Sequence, residues 1–558
     1  MAAFAGCARG PGTARTLSRM ASGKVRRARA PVLVSGRRDV ELAELGDTAI
    51  AIVGYVRSGT RALGAADVLT RWRRAGPAML DELAGEFALA VSGPDGTYVA
   101  RDRVGTRPLY VATTRDGVAA FATSMRHLIR AGVPVEIDRD AIVASLILGY
   151  APAPLTAVAA IRQVGPGEWW RLDPAPRAHR YFAPRETVAR GRSLGDAARA
   201  LDRALDRAVR TALPASGRIG AFLSGGLDSS LVLARLHELG RRCEAFTLHF
   251  GDNLPSELRY AQAVARHLGV PHHVVELDAR RFADALVPAL VELEDLLTEP
   301  IAVPNFLLAR EAARRVDVLF TGEGGDPSFG GPKNIGLVLT RMYEQLHAPA
   351  LVDSYLSAHH HLYDDLDRAL TAHTRRAFDL AGLSRDLLEP AVRAHRGETF
   401  VGRMMAANLA LKGGNNILVK VAKMVGAHDL ALRSPLFAPE VVELALTIPP
   451  WQKLFGSDEK LVMKRVAARS LPRPVVERPK RGMSVPLSRW FRGRLGELAR
   501  DTLTPRAVRE RGLFRWPYVR ALLARRDMPS ELARSRSAEK LWLVLVTELY
   551  LRTLEARA

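Results

Sequence analysis

The sequence predicts two folded units of different class: an α+β domain over residues 1–183, then over 184–558 an α/β doubly wound parallel sheet with a helical C-terminal extension. Three observations predict this. From about 40 to 180, short β-type runs alternate with turn residues. From about 195, strand-like and helical runs alternate, the signature of a parallel sheet. Beyond about 335 the pattern is helical to the end, with no strand-like run and no internal repeat. A chain of 558 residues also exceeds one hydrophobic core, which stops growing near roughly 250–300 residues.

In the first unit the strand-like runs are Thr48–Val53, Glu86–Val91, Tyr98–Ala100, Pro108–Val111 and Gly117–Ala122. The proline-rich stretch Asp173–Arg180 lacks apolar periodicity and is expected to be a linker. Leu201, Leu205, Val209 and Leu213 then recur on one helical face. Strand-like Ile219–Leu223 leads through glycines into a helix near Ser229. Ala245–Leu248, a helix over 256–268, His273–Leu277, a helical run to about 315 and Val316–Phe320 follow.

Hydrophobic content of 48% with 25% charged residues excludes global disorder. The longest apolar stretch, 141–161, is broken by Gly149, Pro152 and Pro154, so no membrane span is expected. Cys7 and Cys243 cannot form a disulfide framework or a zinc site, which points to a reducing, cytoplasmic setting. The net charge of +22 comes mostly from arginines spread along the chain, so a nucleic-acid partner is not expected. Residues 1–38 hold nine Arg or Lys and no Asp or Glu, a transit-peptide pattern. Against that, residues 2–6 already fit the start of a folded domain.

The strongest chemical signal is Ser224-Gly-Gly-Leu-Asp-Ser-Ser230, directly after a buried strand and opening a helix. Small residues let the backbone wrap a phosphate, hydroxyl and N–H groups donate to its oxygens, and the helix N-terminus favours the anion. Asp228 suits a magnesium ion that bridges phosphates. A second Gly-rich acidic motif, Thr321-Gly-Glu-Gly-Gly-Asp-Pro-Ser-Phe-Gly-Gly331, follows the strand ending at Phe320. In a doubly wound sheet, both loops can face one ligand at the carboxyl ends of the strands.

The phrase Gly220–Ser230 resembles the pyrophosphate-binding loop of the adenine nucleotide α-hydrolases, and the asparagine synthetase family in particular. That resemblance implies cleavage of ATP to AMP and pyrophosphate as a carboxylate is adenylated. It places Leu223, Ser224, Gly225, Gly226, Asp228, Ser229, Ser230, Leu248, Thr321 and Gly322 around ATP, and Asp228 and Asp326 on Mg²⁺. Glu323 matches a glutamate that handles the amine's proton. Leu471–Met483 is similar to the segment that carries the family's catalytic lysine, here Lys480. Asn416–Met424 and Ala427–Phe437 resemble the C-terminal signature, in which Arg433 is retained while Ala422, Ala431 and Ala438 replace acids. Pro327 also departs from the pattern. Arg433 and Lys333 are the substrate candidates.

Leu83–Val91 and Tyr98–Tyr110 resemble the family's glutaminase domain, an N-terminal-nucleophile sandwich. Its nucleophilic cysteine aligns with Ala2, Cys7 is internal, and the glutamine-holding segments have no counterpart. The first domain is therefore expected to be an inactive scaffold, as in β-lactam synthetases and lasso-peptide cyclases. The implied partners are a small-molecule or peptide carboxylate and an amine or ammonia, and a homodimer is compatible with this. An asparagine-forming enzyme, a natural-product ligase and a peptide macrocyclase remain open at this point. A tRNA-modifying adenylating enzyme is the rival from another class. His359-His-His361 with Asp364 and Asp365 reads as a solvated helix, because consecutive helical residues point about 100° apart.

Overall fold

The computed structural model describes every residue except 1–2, 10–11, 22–24, 37–38, 252–256, 332–351, 353–354, 357–360, 391–398, 457, 479–483, 525–529 and 557–558. In the first domain two antiparallel sheets, of six and seven strands, face each other. Strand Ala3–Cys7 lies inside the first sheet, between Val32–Ser35 and Ala119–Ala122. The second is centred on the long pair Thr48–Ser58 and Ala84–Gly93. Alternate residues from both, including Phe4, Val32, Val34, Ala51, Ala88, Val99 and Phe121, form the layer between them. Three strands, at Ala3–Cys7, Val25–Arg27 and Val32–Ser35, precede residue 40, where the expected strand-like runs begin.

The expected linker is a correction. Arg177–Arg180 is an edge strand, exposed throughout, paired with Glu168–Arg171. Backbone pairing, the stacking of His179 on Trp169 and the pair Arg180–Glu168 hold it, none of which needs apolar alternation in its side chains. The connection between domains is the following stretch, which ends at helix α1, Leu194–Ala212, capped by the Ser193 hydroxyl.

The second domain is built on a parallel sheet whose strands are β1 (Ile219–Phe222), β2 (Cys243–His249), β3 (His272–Glu276), β4 (Val318–Phe320) and β5 (Ala431–Arg433). Their order is β3-β2-β1-β4-β5. The chain runs outward from β1 to β3 and then returns to the other side of β1, which makes the β1/β4 boundary the switch point of the sheet. Helices α2 (Leu227–Glu238), α3 (Leu258–Leu268), α4 (Ala279–Leu293) and α5 (Ala302–Ala312) connect the strands. Strand β5 is a second correction, since no strand was expected beyond about 335. Three residues are too few to show a period, and only pairing with β4 defines them. A small hairpin, Leu454–Phe455 with Asp458–Glu459, is likewise new.

The domains meet along a charged seam. Glu294, fully buried, accepts from Ser124 Oγ and the Met125 amide of the first domain and pairs with Arg126 and with Lys423 at 2.9 Å. Arg101, also fully buried, donates to the carbonyls of Val164, Gly105 and, across the seam, Gly414. Among the described residues no helix is long and apolar enough to cross a membrane.

Candidate functional site

Strand β1 ends at Phe222, and the loop 223–226 passes into α2 with Gly226 as its N-cap. Gly225 has φ +76°, and a Cβ there would lie 2.6 Å from the Ala261 amide nitrogen, so the loop rests directly on the start of α3. The Ser224 and Ser229 hydroxyls are 3.0 Å apart, and the Ser224 amide donates to Ser229 Oγ. Ser230 is fully buried at the first turn of α2, with no hydrogen-bond partner for its hydroxyl among the described residues.

The second loop leaves the adjacent strand β4. The Thr321 amide donates to the Arg433 carbonyl at 2.9 Å, and the Glu323 amide to Thr321 Oγ1. The loop continues into a short helix, α6, Gly325–Phe329. Both loops touch through glycine. A Cβ on Gly322 would fall 2.4 Å from the Ser229 amide nitrogen, and one on Gly325 2.3 Å from the Asp228 carboxyl carbon. Side chains at either position would force the loops apart, so sequence brings the two motifs into one crevice at the switch point.

Asp228 and Asp326 converge there. Between them stands Lys460, 2.5 Å from Asp228 and in contact with Asp326. Its side chain is 2% exposed, whereas that of Asp326 is 47% exposed. Lys460 was missed in the sequence. It has φ +57°, directly before the helix Leu461–Ala467, and a lysine at a helix start carries no signal of a contact 232 residues away. The crevice therefore offers the backbone amides of a helix N-terminus, two serine hydroxyls, one ammonium and two carboxylates. That set suits a polyphosphate with a hard cation. Among the described residues no three His, Cys, Asp or Glu gather as a metal cluster. Two carboxylates fit a hard cation such as Mg²⁺, whose remaining ligands would come from elsewhere.

The other expected residues are placed as follows. Leu223 is buried, its amide donating to the Phe246 carbonyl of β2, and Leu248 lies buried near the end of β2 on the same side of the switch point. Arg433 is turned away from the crevice. Its guanidinium donates to Asp39 Oδ1 at 2.8 Å and lies over the Tyr55 ring, both in the first domain. Lys480 and Lys333, and Ala2 in the first domain, lie outside the described residues. Another arginine borders the 223–226 loop instead. Arg478 pairs with Glu257, lies over Tyr260 and comes within 3.9 Å of where a Cβ on Gly226 would be.

Both thiols are free and buried. Burial pushes Cys7, within its strand, and Cys243, within β2, up to about 12.

Residues 200–552 match the family model for asparagine synthase, and residues 59–182 that for a glutamine amidotransferase domain. A Mycobacterium tuberculosis protein, provisionally described as a glutamine-hydrolysing asparagine synthetase, is 30% identical over 465 residues, 77% of this chain and 71% of its own. Asparagine synthetase 1 of Bacillus subtilis is 24% identical, covering 83% of this chain and 77% of its own. Asparagine synthetase B of Escherichia coli is 25% identical, covering 81% and 70%. All three are described as glutamine-hydrolysing.

Proposed function

The chain belongs to the asparagine synthase family, and on that premise we propose that it is an ATP-dependent amide-forming ligase that adenylates a carboxylate for attack by ammonia or an amine. The observation that carries this reading is the meeting of two Gly-rich loops at the sheet's switch point, with Asp228 and Asp326 sharing one cation. The names of the relatives favour asparagine formation, with aspartate as the first carboxylate to test, over cyclisation or tRNA modification.

In this reading Ser224, Gly225, Gly226, Ser229 and Ser230 cradle the pyrophosphate part of ATP against the start of α2. Leu223, Leu248, Thr321 and Gly322 border the nucleoside. Asp228 and Asp326 would hold Mg²⁺, which when bound would neutralise phosphate charge. Lys460 adds a fixed positive charge beside both carboxylates. Glu323 accepts the proton of the attacking nitrogen, and Lys480 stabilises charge on the α-phosphate as the adenylate forms.

The nitrogen does not come from glutamine. The residue preceding strand Ala3–Cys7 is Ala2, which has no nucleophilic atom, and both cysteines are buried. The division is 1–183 for the scaffold and 184–558 for the synthetase. Exchange of labelled pyrophosphate into Mg·ATP, with and without aspartate and other carboxylates, tests the reaction class. Carboxylate-dependent exchange is expected; formation of ADP and phosphate in place of AMP and pyrophosphate overturns it.

A further inference from the structure

Beside the 223–226 loop lies a charge pair that the adenylation reading leaves unused. The short helix Arg473–Val476 packs against α3, with Val475 and Val476 in one core with Ala261, Val264 and Leu268 of that helix. That packing delivers Arg478, two residues further on, to the start of α3. There its Nη2 donates to the Glu257 carboxylate, and its guanidinium lies 4.7 Å from the centre of the Tyr260 ring. Glu257 is the N-cap of α3, and both it and Tyr260 touch the loop: a Cβ on Gly225 would lie 2.9 Å from the Glu257 carbonyl oxygen and 3.1 Å from Tyr260 Cβ. Arg478 is therefore held by the same groups on which the loop rests.

That position is unfavourable for a cation unless an anion shares it. Gly226 is the N-cap of α2, a helix of 12 residues, and Arg478 Nη2 comes within 3.9 Å of where a Cβ on Gly226 would be. A helix N-terminus carries roughly half a positive charge, so a guanidinium there is repelled. Glu257 supplies the compensating charge, and among the described residues it is the sole hydrogen-bond partner of Arg478. The arginine side chain is only 5% exposed, yet a guanidinium has five N–H donors, and most of them are left over. Ser230, in the first turn of α2, is fully buried with its hydroxyl also unused among the described residues. Buried donors left over at a helix start specify an anion. A pyrophosphate there would meet the Glu257 carboxylate at close range, with charge of the same sign.

We propose that Arg478 is a contact to the β- and γ-phosphates for which Glu257 competes. When a carboxylate oxygen of the substrate attacks the α-phosphorus, the bond from that phosphorus to the oxygen bridging to the β-phosphate breaks, and its electron pair leaves with pyrophosphate. The free donors of Arg478 hold the charge that gathers there. Glu257 repels the same oxygens and takes the guanidinium back, which drives pyrophosphate out. The inference rests on the adenylation reading and adds how the first product is held and released.

Binding of pyrophosphate, and separately of AMP, to the full chain with Mg²⁺ is measured by calorimetry for the wild type and two variants. Arg478→Met is expected to raise the Kd of pyrophosphate about ten-fold and to leave AMP binding unchanged, because AMP has no β-phosphate. Glu257→Gln is expected to lower the Kd of pyrophosphate about five-fold, since the competing charge is gone. A pair that merely braces the loop predicts weaker binding in both. Should Arg478→Met not fold, Arg478→Lys, which keeps the charge but not the fork, is expected to raise the Kd about three-fold. Any result other than opposite signs at the two positions, or an equal loss of AMP binding, overturns the competition; exchange of labelled pyrophosphate into ATP by the wild type then leaves adenylation standing. Absence of that exchange with every carboxylate overturns the adenylation reading, and this inference with it.

Discussion

The crevice over the parallel sheet and the seam between the domains are both built from charge, but charge is disposed differently in each. In the crevice one lysine is shared by Asp228 and Asp326, and the second acid is half in solvent. In the seam Glu294 and Lys423 are both buried, and Ser124, the Met125 amide and Arg126 complete the carboxylate's partners. Burial opposes the charge on Glu294, yet Lys423 and Arg126 hold it down to about 2. The acid that Lys460 shares with Asp228 opens to solvent, whereas the Glu294 carboxylate is enclosed by its partners.

Breaking the crevice gives the largest effect on activity and little on stability. Asp228→Ala is expected to lower pyrophosphate exchange about a thousand-fold, with a thermal midpoint within a few degrees of wild type. Measurable exchange close to wild type would remove Asp228 from the site.

Breaking the seam reverses that pattern. Lys423→Met leaves Glu294 buried with Arg126 as its remaining cation, at a cost of about 3 kcal/mol in urea unfolding. Exchange per folded molecule should persist. An unchanged unfolding midpoint would show that the pair is not the lock inferred here.

A smaller effect sharpens the contrast within the seam. Glu86 accepts from the Ser434 amide across the domains, and burial pushes its carboxyl up to about 7 against the pull of Arg107 and Arg433. Between about 4.5, its ordinary value, and 7 the folded state binds the proton that the unfolded chain has lost. Glu86 therefore contributes stability that is fully present below 4.5 and is lost as pH rises through 7. Glu294 has the opposite sign: its contribution is present above 4.5 and lost as pH falls toward 2. Glu86→Gln should flatten the loss of stability near pH 7 in unfolding curves and leave the acid side unchanged.

How much of this was legible in the sequence depends on whether a feature is local. That Ser224–Ser230 and Thr321–Gly331 meet in one crevice was readable because each is a contiguous Gly-rich run directly after a strand of a parallel sheet. The alternation of β1 to β4 with helices was likewise readable from contiguous runs. Lys460 was not, since nothing near it records its meeting with Asp228. Strand β5 is defined by its neighbour β4, and Arg177–Arg180 by Glu168–Arg171, in each case by pairing and not by side-chain period. Arg433 sits in a recognisable segment, but its direction is decided by Asp39 and Tyr55 from the other domain.

The measurement that bears most directly on this division of labour is glutamate release from glutamine by the full chain during turnover with Mg·ATP and aspartate, alongside AMP release with ammonia as nitrogen source. AMP formation that follows ammonia, with no glutamate formed from glutamine, is the predicted result, because Ala2 supplies no nucleophile and Cys7 is buried. Glutamate appearing in step with AMP would contradict the account and return catalysis to the first domain.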